Sequence, residues 1–458
     1  MMNFEIAVFG VLPLMVVVLC GTALRLLTRR RISLVDYFAL CTGALNGVGF
    51  LFVLWATQAG LNESLWQNWL GRSGTVAWLF PTLSIIAVMG VWFGETLGNT
   101  LYLKKKKKSC LCPVSVARNK KFLGRISWIF LLLGVITYWL YARPYGGLSG
   151  LLKYSALIRS GRFAEIGIDN PLSFLQRFGG LGMFSAFLFE GLLFEAHSVK
   201  EKFVNLMGLI LASVFSFYVL YSWKGRLMLL VFLLTLLLGL LFWRKGFTLR
   251  SVLYGLFFSA LLLIVSLPFV TLLINPGRSS PSAVQLLAKE LSFPAASFAA
   301  VVEAPKIRWM RDIAFWPIYF LPERLWKTGW GIDTASDYIT LLIMGAPKGE
   351  AGVTGSIPAD FVTFGYLQGG PFGLAIWAML WGVMLCWLDR WLARLSLRGL
   401  QQVLYAFAVL SVAMMTVFYS DPEHIIECNL HFIIGCLVVA IVSRVSSRPW
   451  CLSGVHNG

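Results

Sequence analysis

The run LMLLVFLLTLLLGLLFW, from Leu227 to Trp243, contains one hydroxyl, Thr235, and no charge. It follows Lys224-Gly225-Arg226 and stops at Arg244-Lys245. About twenty apolar residues in a helix cover the ~30 Å hydrocarbon layer of a bilayer, and a helix meets all its backbone hydrogen bonds internally. Comparable runs lie near 4–27, 35–57, 76–98, 122–142, 172–194, 203–222, 251–274, 362–388, 400–420 and 429–446. With 58% apolar and 13% charged residues and a mean hydropathy of +0.75, the chain reads as an all-α polytopic membrane protein with about 11 transmembrane helices.

The net charge of +18 would point a soluble protein toward nucleic acid. Here the basic residues fall in connectors, as the positive-inside rule describes, so no nucleic-acid partner is expected. Arg29 to Arg31, Lys104 to Lys108, Lys200 and Lys202, Arg244-Lys245, Arg390, Arg394 and Arg398 all fall on one side when the spans alternate. That side is the expected cytoplasmic face, with membrane lipids as partners and the lysine run as an anchor on anionic lipid. The N-terminus is then outside and the C-terminus inside. Met1 to Glu5 lacks the basic start of a cleavable signal peptide. The eight cysteines form no framework, and Cys110 and Cys112 lack a second pair at zinc spacing.

Residues 1–274 are therefore expected to hold eight spans, 275–361 one large outer loop, and 362–458 three spans and a tail. The loop carries Arg278, Arg308, Arg311 and Arg324 with about as many acids as bases. Ser282 to Leu291 has helical spacing, Ala295 to Val302 reads as a re-entrant or interfacial helix, and Asp333-Thr334 opens another helix with Asp337 helping to cap it. Trp309, Phe315, Trp316, Tyr319, Trp326 and Trp330 can anchor such a loop.

The chain has no G-x-S-x-G elbow, no Walker loop and no H-E-x-x-H. Of its four histidines, His424 and His431 fall near the outer side. Arginine remains as the chemistry-bearing residue: its fork fits phosphate oxygens in two-point contact and keeps its charge. Candidates for holding an anionic substrate are Arg159, Arg162, Arg177, Arg226, Arg308, Arg311 and Arg324. Arg177 lies inside an apolar run, where an ionisable group is costly and faces a cavity or snorkels to the interface. Arg159 and Arg162, with Arg143 and Lys153, and the turn Lys224 to Arg226 depart from the charge rule for an outer connector; the competing explanation is pairing to acids of the loop.

The stretch Leu321-Pro322-Glu323-Arg324-Leu325-Trp326-Lys327, then Gly345, Gly352-Val353-Thr354 and Phe364-Gly365-Tyr366, resembles the signature region of bacterial O-antigen (Wzy-type) repeat-unit polymerases. Lys224-Gly225-Arg226 is similar to that family's Gly-Ser-Arg turn. The chain departs from the pattern in placing Glu323 between Pro322 and Arg324, Asp360 near the family's Glu, and Thr363 where Asn is common.

The resemblance implies a glycosyltransferase C-like fold in the bacterial inner membrane with its active site at the periplasmic face. It implies a metal-independent enzyme, without cofactor, that joins oligosaccharide units carried on undecaprenyl pyrophosphate. A chain-length regulator protein is a further candidate partner. Arg324, His424, Asp360 and Glu323 are the expected catalytic residues. Of these, His424 has the ordinary pKa suited to a base, with Asp360 and Glu323 as alternatives. Arg226, Arg177, Arg159, Arg162, Arg308, Arg311 and Lys327 would hold substrate. The competing functions are an O-antigen ligase and a lipid-linked oligosaccharide flippase. A transporter favours polar or broken helices at mid-membrane, whereas this chain's unusual charges gather toward one face.

Overall fold

The computed structural model describes residues 4–29, 31–62, 64–72, 74–106, 116–162, 167–223, 226–246, 283–304 and 306–445. The described part is 83% helical without strands, and ten of its helices are long and apolar enough to cross a membrane. These are α1 (Phe4–Arg29), α2 (Leu34–Gln58), α4 (Val76–Lys106), α5 (Val116–Ala142), α7 (Ser173–Phe194), α8 (Val199–Ser222), α9 (Arg226–Lys245), α13 (Gly370–Leu392), α14 (Arg398–Phe418) and α15 (Pro422–Val445). The expected span at 251–274 lies outside the described residues, as do Arg278, Lys107, Lys108, Cys110, Cys112, Lys224, Gly225 and the tail from 446. Five further helices are α3 (Ser64–Arg72), α6 (Gly147–Ser160), α10 (Ala283–Glu303), α11 (Ala335–Met344) and α12 (Phe361–Leu367).

The tightest helix pair is α4 with α13. Gly90, Gly94 and Gly98 recur every fourth residue along one face of α4. A Cβ at Gly90 would sit 2.7 Å from Ala378 Cβ, one at Gly94 2.9 Å from Met379 Cα, and one at Gly98 3.2 Å from the Cys386 side chain. On the other helix, a Cβ at Gly382 would sit 2.9 Å from Val91 Cα. Lipid tails are as apolar as leucine, so close backbone packing rather than the hydrophobic effect drives such pairs.

The basic end of the bundle, where α1, α4 and α13 finish, carries an ion-pair network. Arg25 donates to Asp36 at 2.6 Å and to Glu95; Arg29 also reaches Glu95, and Arg31 reaches Asp389 at 2.9 Å. Asp36 completes a capping box with Ser33 at the start of α2. Lys120 donates to the Glu195 carbonyl at 2.9 Å, and the Glu195 carboxylate accepts from Gly399 N–H at 2.8 Å.

Three sequence expectations change here. The run expected at 362–388 is two helices, α12 and α13, broken at Gln368–Gly370 with Gly370 at φ +63°. The break frees the carbonyls of Leu367 and Gln368, which accept N–H bonds from Arg308 at 2.7 Å and Met310 at 3.1 Å. The last span begins at Pro422 rather than near 429, because Asp421 accepts the Glu423 N–H at 3.2 Å and proline suits a first helical position. Glu423 to Cys428, expected in a connector, therefore form its first turns. Ser282–Leu291 and Ala295–Val302 merge into one helix, α10, running through Pro294. Its second half is buried against other helices: Ala295, Ala296, Phe298, Ala299 and Ala300 are buried. Asn62 donates to Ser292 at 2.7 Å, and Phe298 packs on Phe80 and Tyr366.

Gly94→Leu and Gly382→Leu should each force α4 and α13 apart and cost at least about 1–3 kcal/mol, the usual range for overpacking. Size-exclusion profiles and thermal unfolding in detergent check this. A Gly74→Leu control, where a Cβ meets nothing within 4 Å, should behave like the unaltered protein.

Candidate functional site at the loop end of the bundle

The loop is fastened by buried charge. Arg308 makes a two-point contact with Asp312, Nε to Oδ2 at 2.6 Å and Nη2 to Oδ1 at 2.8 Å. It also donates to the Asp333 carboxylate at 2.8 Å and carbonyl at 2.7 Å. Arg311 joins Asp333 at 2.6 Å, and Gln368 in the α12–α13 break donates to Asp312 at 2.6 Å. Burial works against the Asp333 anion, but the Arg308 and Arg311 contacts outweigh it and hold that carboxyl below its ordinary range. Trp309 and Met310, at φ +50° and +61°, adopt the left-handed conformation that side chains disfavour. The N–H bonds of Arg308 to Leu367 and of Met310 to Gln368 hold them there. Arg308 and Arg311, expected to hold substrate, are thus engaged by carboxylates of the loop itself.

A second group surrounds the wide turn Arg324–Gly329. Trp326 is buried edge-on against Tyr319, with ring centroids 5.1 Å apart, and this fixes the turn. Arg324 projects outward and pairs with Asp169 from the α6–α7 connection. Lys327 lies 3.2 Å from Glu323 and 3.1 Å from Asp337. Burial would lower the Lys327 pKa, but Asp337, Glu323 and Glu423 hold it above that of an ordinary lysine. Asp337 also completes a capping box with Thr334 at the start of α11.

Arg177 enters from the opposite side. The first turns of α7, Ser173–Gly180, are wound tightly, and its Nη1 donates to the Tyr319 carbonyl at 3.2 Å. Arg177 is half-buried and makes no ion pair among the described residues. Gly180, one turn on, admits α15: a Cβ there would lie 3.0 Å from His431 Nδ1. That approach sets Arg177 beside the first turns of α15. There His424 stacks on Tyr419, centroids 4.7 Å apart, with its Nε2 3.4 Å from Cys428 Sγ.

Asp421 precedes those turns. It is buried and accepts N–H bonds from Ser336 at 2.9 Å and Glu423 at 3.2 Å. Burial, helped by the charge of Asp312, pushes its carboxyl up to about 6 against those bonds. Asp360 is fully buried as the N-cap of α12 and accepts from Val362 N–H at 2.9 Å, Thr363 N–H at 3.2 Å and the Thr363 hydroxyl. Burial pushes its carboxyl up to about 7. The structure encloses Asp360 where the sequence reading places a candidate base.

Gly161, just past Arg159 at the end of α6, packs against Lys348 and Gly349, so the α6 end meets the segment before Gly352-Val353-Thr354. Arg159 and Arg162 are themselves engaged in interactions there. Arg226 is the first residue of α9, and Lys224-Gly225 before it lies outside the described residues.

No family model, curated protein or solved structure matches this chain. The site therefore rests on its own geometry. Of the expected residues, Arg324, Lys327 and Glu323 share one turn, and Arg177 and His424 reach the same end of the bundle. The sequence reading passed over Glu423, Asp421 and Asp337 as site members. Their signal was present in Asp421-Pro422-Glu423-His424, a polar start to an apolar helix, and in the cap Thr334-x-x-Asp337. Chemically, a guanidinium without a carboxylate, a stacked imidazole and a carboxylate-flanked lysine at one surface can hold an anion and accept a proton.

Asp360→Asn should preserve the cap, whereas Asp360→Ala should cost about 1 kcal/mol or more. The folded carboxyl titrates near 7 against an ordinary 3.8, so the folded state binds this proton more tightly. Stability is then lost as pH rises from about 4 to about 7, and the Asn variant should flatten that slope. Thermal unfolding at pH 5 and pH 8 checks it; an unchanged slope in Asp360→Asn refutes the assignment.

Proposed function

We propose that this chain is a polymerase of lipid-linked oligosaccharide repeat units, of the O-antigen (Wzy-type) kind, acting at the periplasmic face of the bacterial inner membrane. The observation that carries the reading is the position of Arg177. It is half-buried at the head of an apolar helix, bonded to the loop at Tyr319, and without an ion pair among the described residues. The resemblance of Leu321–Lys327 to the polymerase signature supports the same end of the bundle, because Arg324 and Lys327 lie in that turn.

In this reading the donor is a growing glycan on undecaprenyl pyrophosphate. The acceptor hydroxyl of a new lipid-linked unit attacks the anomeric carbon. The bond from that carbon to the pyrophosphate oxygen breaks, a new carbon–oxygen bond forms, and the acceptor proton passes to a base. Arg177 and Arg324 offset the charge that develops on the departing pyrophosphate, Arg324 exchanging Asp169 for phosphate oxygens. Fixed donors aimed at developing charge contribute several kcal/mol of barrier reduction. His424 accepts the proton in this reading, and its stacking on Tyr419 holds the ring.

Arg177→Ala and Arg324→Ala should each lower polymerisation of purified lipid-linked repeat units by about 100-fold, the usual scale for losing one charge-stabilising donor. Both proteins should still insert and unfold at unchanged temperature. Normal chain lengths from both would sink the pyrophosphate clamp. In the host, loss of the gene should leave lipopolysaccharide capped by a single repeat. An unaltered ladder would refute a polymerase, and lipid A core bearing no repeat would make the protein a ligase.

A further inference from the structure

We infer that the basic end of the bundle carries a discrete binding site for the phosphate of an anionic phospholipid, formed by Arg390, Arg394 and Tyr102. The two guanidiniums share one aromatic ring: their central carbons lie 4.1 Å and 4.5 Å from the Tyr102 centroid. Two like charges gathered on one ring favour an anion beside them.

The neighbouring carboxylates do not supply that anion. Asp36 and Glu95 are taken by Arg25 and Arg29, and Asp389 by Arg31. Arg390 and Arg394 make no ion pair among the described residues. Arg390 Nη2 donates to Asn99, a neutral acceptor, while its Nη1 is buried and donates to nothing. An unmade bond from a buried charged donor is expensive, and a phosphate oxygen would complete it. Arg394 is exposed on the next turn, so its fork is free to close on the same group.

The surroundings favour a lipid over a free ion. Trp387, one turn before Arg390 on the same face of α13, is 53% exposed, and Leu101 and Leu97 on α4 are exposed beside Tyr102. A ligand with its phosphate on the guanidiniums therefore has apolar surface next to it for acyl chains, and tryptophan is typical of that depth. α4 continues past Tyr102 to Lys106. The pair is built into the α4–α13 contact: Gly98 packs on Cys386, Asn99 accepts from Cys386 Sγ at 3.3 Å, and the same Asn99 holds Arg390. An occupied site would bridge the two helices.

The full chain in neutral detergent is titrated with short-chain phosphatidylglycerol and, separately, with inorganic phosphate, and its unfolding temperature is followed. Phosphatidylglycerol should raise it saturably. Arg390→Gln/Arg394→Gln should need at least about tenfold more lipid for the same shift, two basic residues each contributing on the order of 1 kcal/mol at a membrane surface. Neutralising Lys104 to Lys108 with glutamine should leave the saturable response in place. Identical titrations for the unaltered protein and the double variant would overturn the site. A response equalled by inorganic phosphate would overturn the lipid assignment. Should the glutamine variant fail to fold, Arg390→Lys/Arg394→Lys keeps both charges but loses the fork and the ring face. It should bind the lipid more weakly, and equal binding would overturn the geometry.

Discussion

The close approach of α4 to α13 is the constraint on which both ends of the molecule depend. Gly90, Gly94, Gly98 and Gly382 let two backbones come within van der Waals reach over consecutive turns. In a bilayer nothing apolar is gained by burying leucine against leucine, so this shape match must hold the helices in register. That register then places charge. At the basic end it brings Asp389 to Arg31 and Arg390 to Asn99. At the other end it presents the α12–α13 break to the loop.

The break is where an apolar bundle receives a polar loop. A continuous helix at 361–392 would leave no main-chain acceptor for an incoming segment. Interrupting it at Gln368 exposes two carbonyls and one amide, and Arg308, Met310 and Asp312 take all three. Burying Arg308 and Asp312 is costly, and the cost is offset only because the guanidinium is held by two carboxylates and a carbonyl. Removing Asp312 or Arg308 leaves the other as a buried charge with its main partner gone. The clasp fixes the start of the segment that leads to Arg324 and Lys327.

The ten described spans were legible because hydropathy sums over about twenty residues and tolerates errors at single positions. What hydropathy averages away was not legible. The break at Gln368–Gly370 sits in a stretch whose average hydropathy stays high, and its local sign is the short run Gln368-Gly369-Gly370-Pro371. The start of α15 was hidden because Asp421, Glu423 and His424 read as a connector, although Asp-Pro is also a helix opening. α10 was divided at Pro294 because a proline inside a helix is costly; tight packing of Ala295, Ala296, Ala299 and Ala300 overrides that here. The glycine spacing of α4 needed its partner α13 to acquire meaning.

Among the arginines, legibility failed for a different reason. A sequence shows that a guanidinium exists but not how its charge is spent. Arg308 and Arg311 look like Arg177 in a list of candidates, yet Asp312 and Asp333 satisfy them from within the same loop. The discriminating property is the ion pair a cation lacks after folding. Among the described residues, Arg177 at the loop end and Arg390 with Arg394 at the basic end meet that criterion. In each, a cation is held by a neutral oxygen, the Tyr319 carbonyl or the Asn99 amide. Neutral acceptors orient a guanidinium without cancelling its charge, leaving it directed at an anion that the protein does not itself provide.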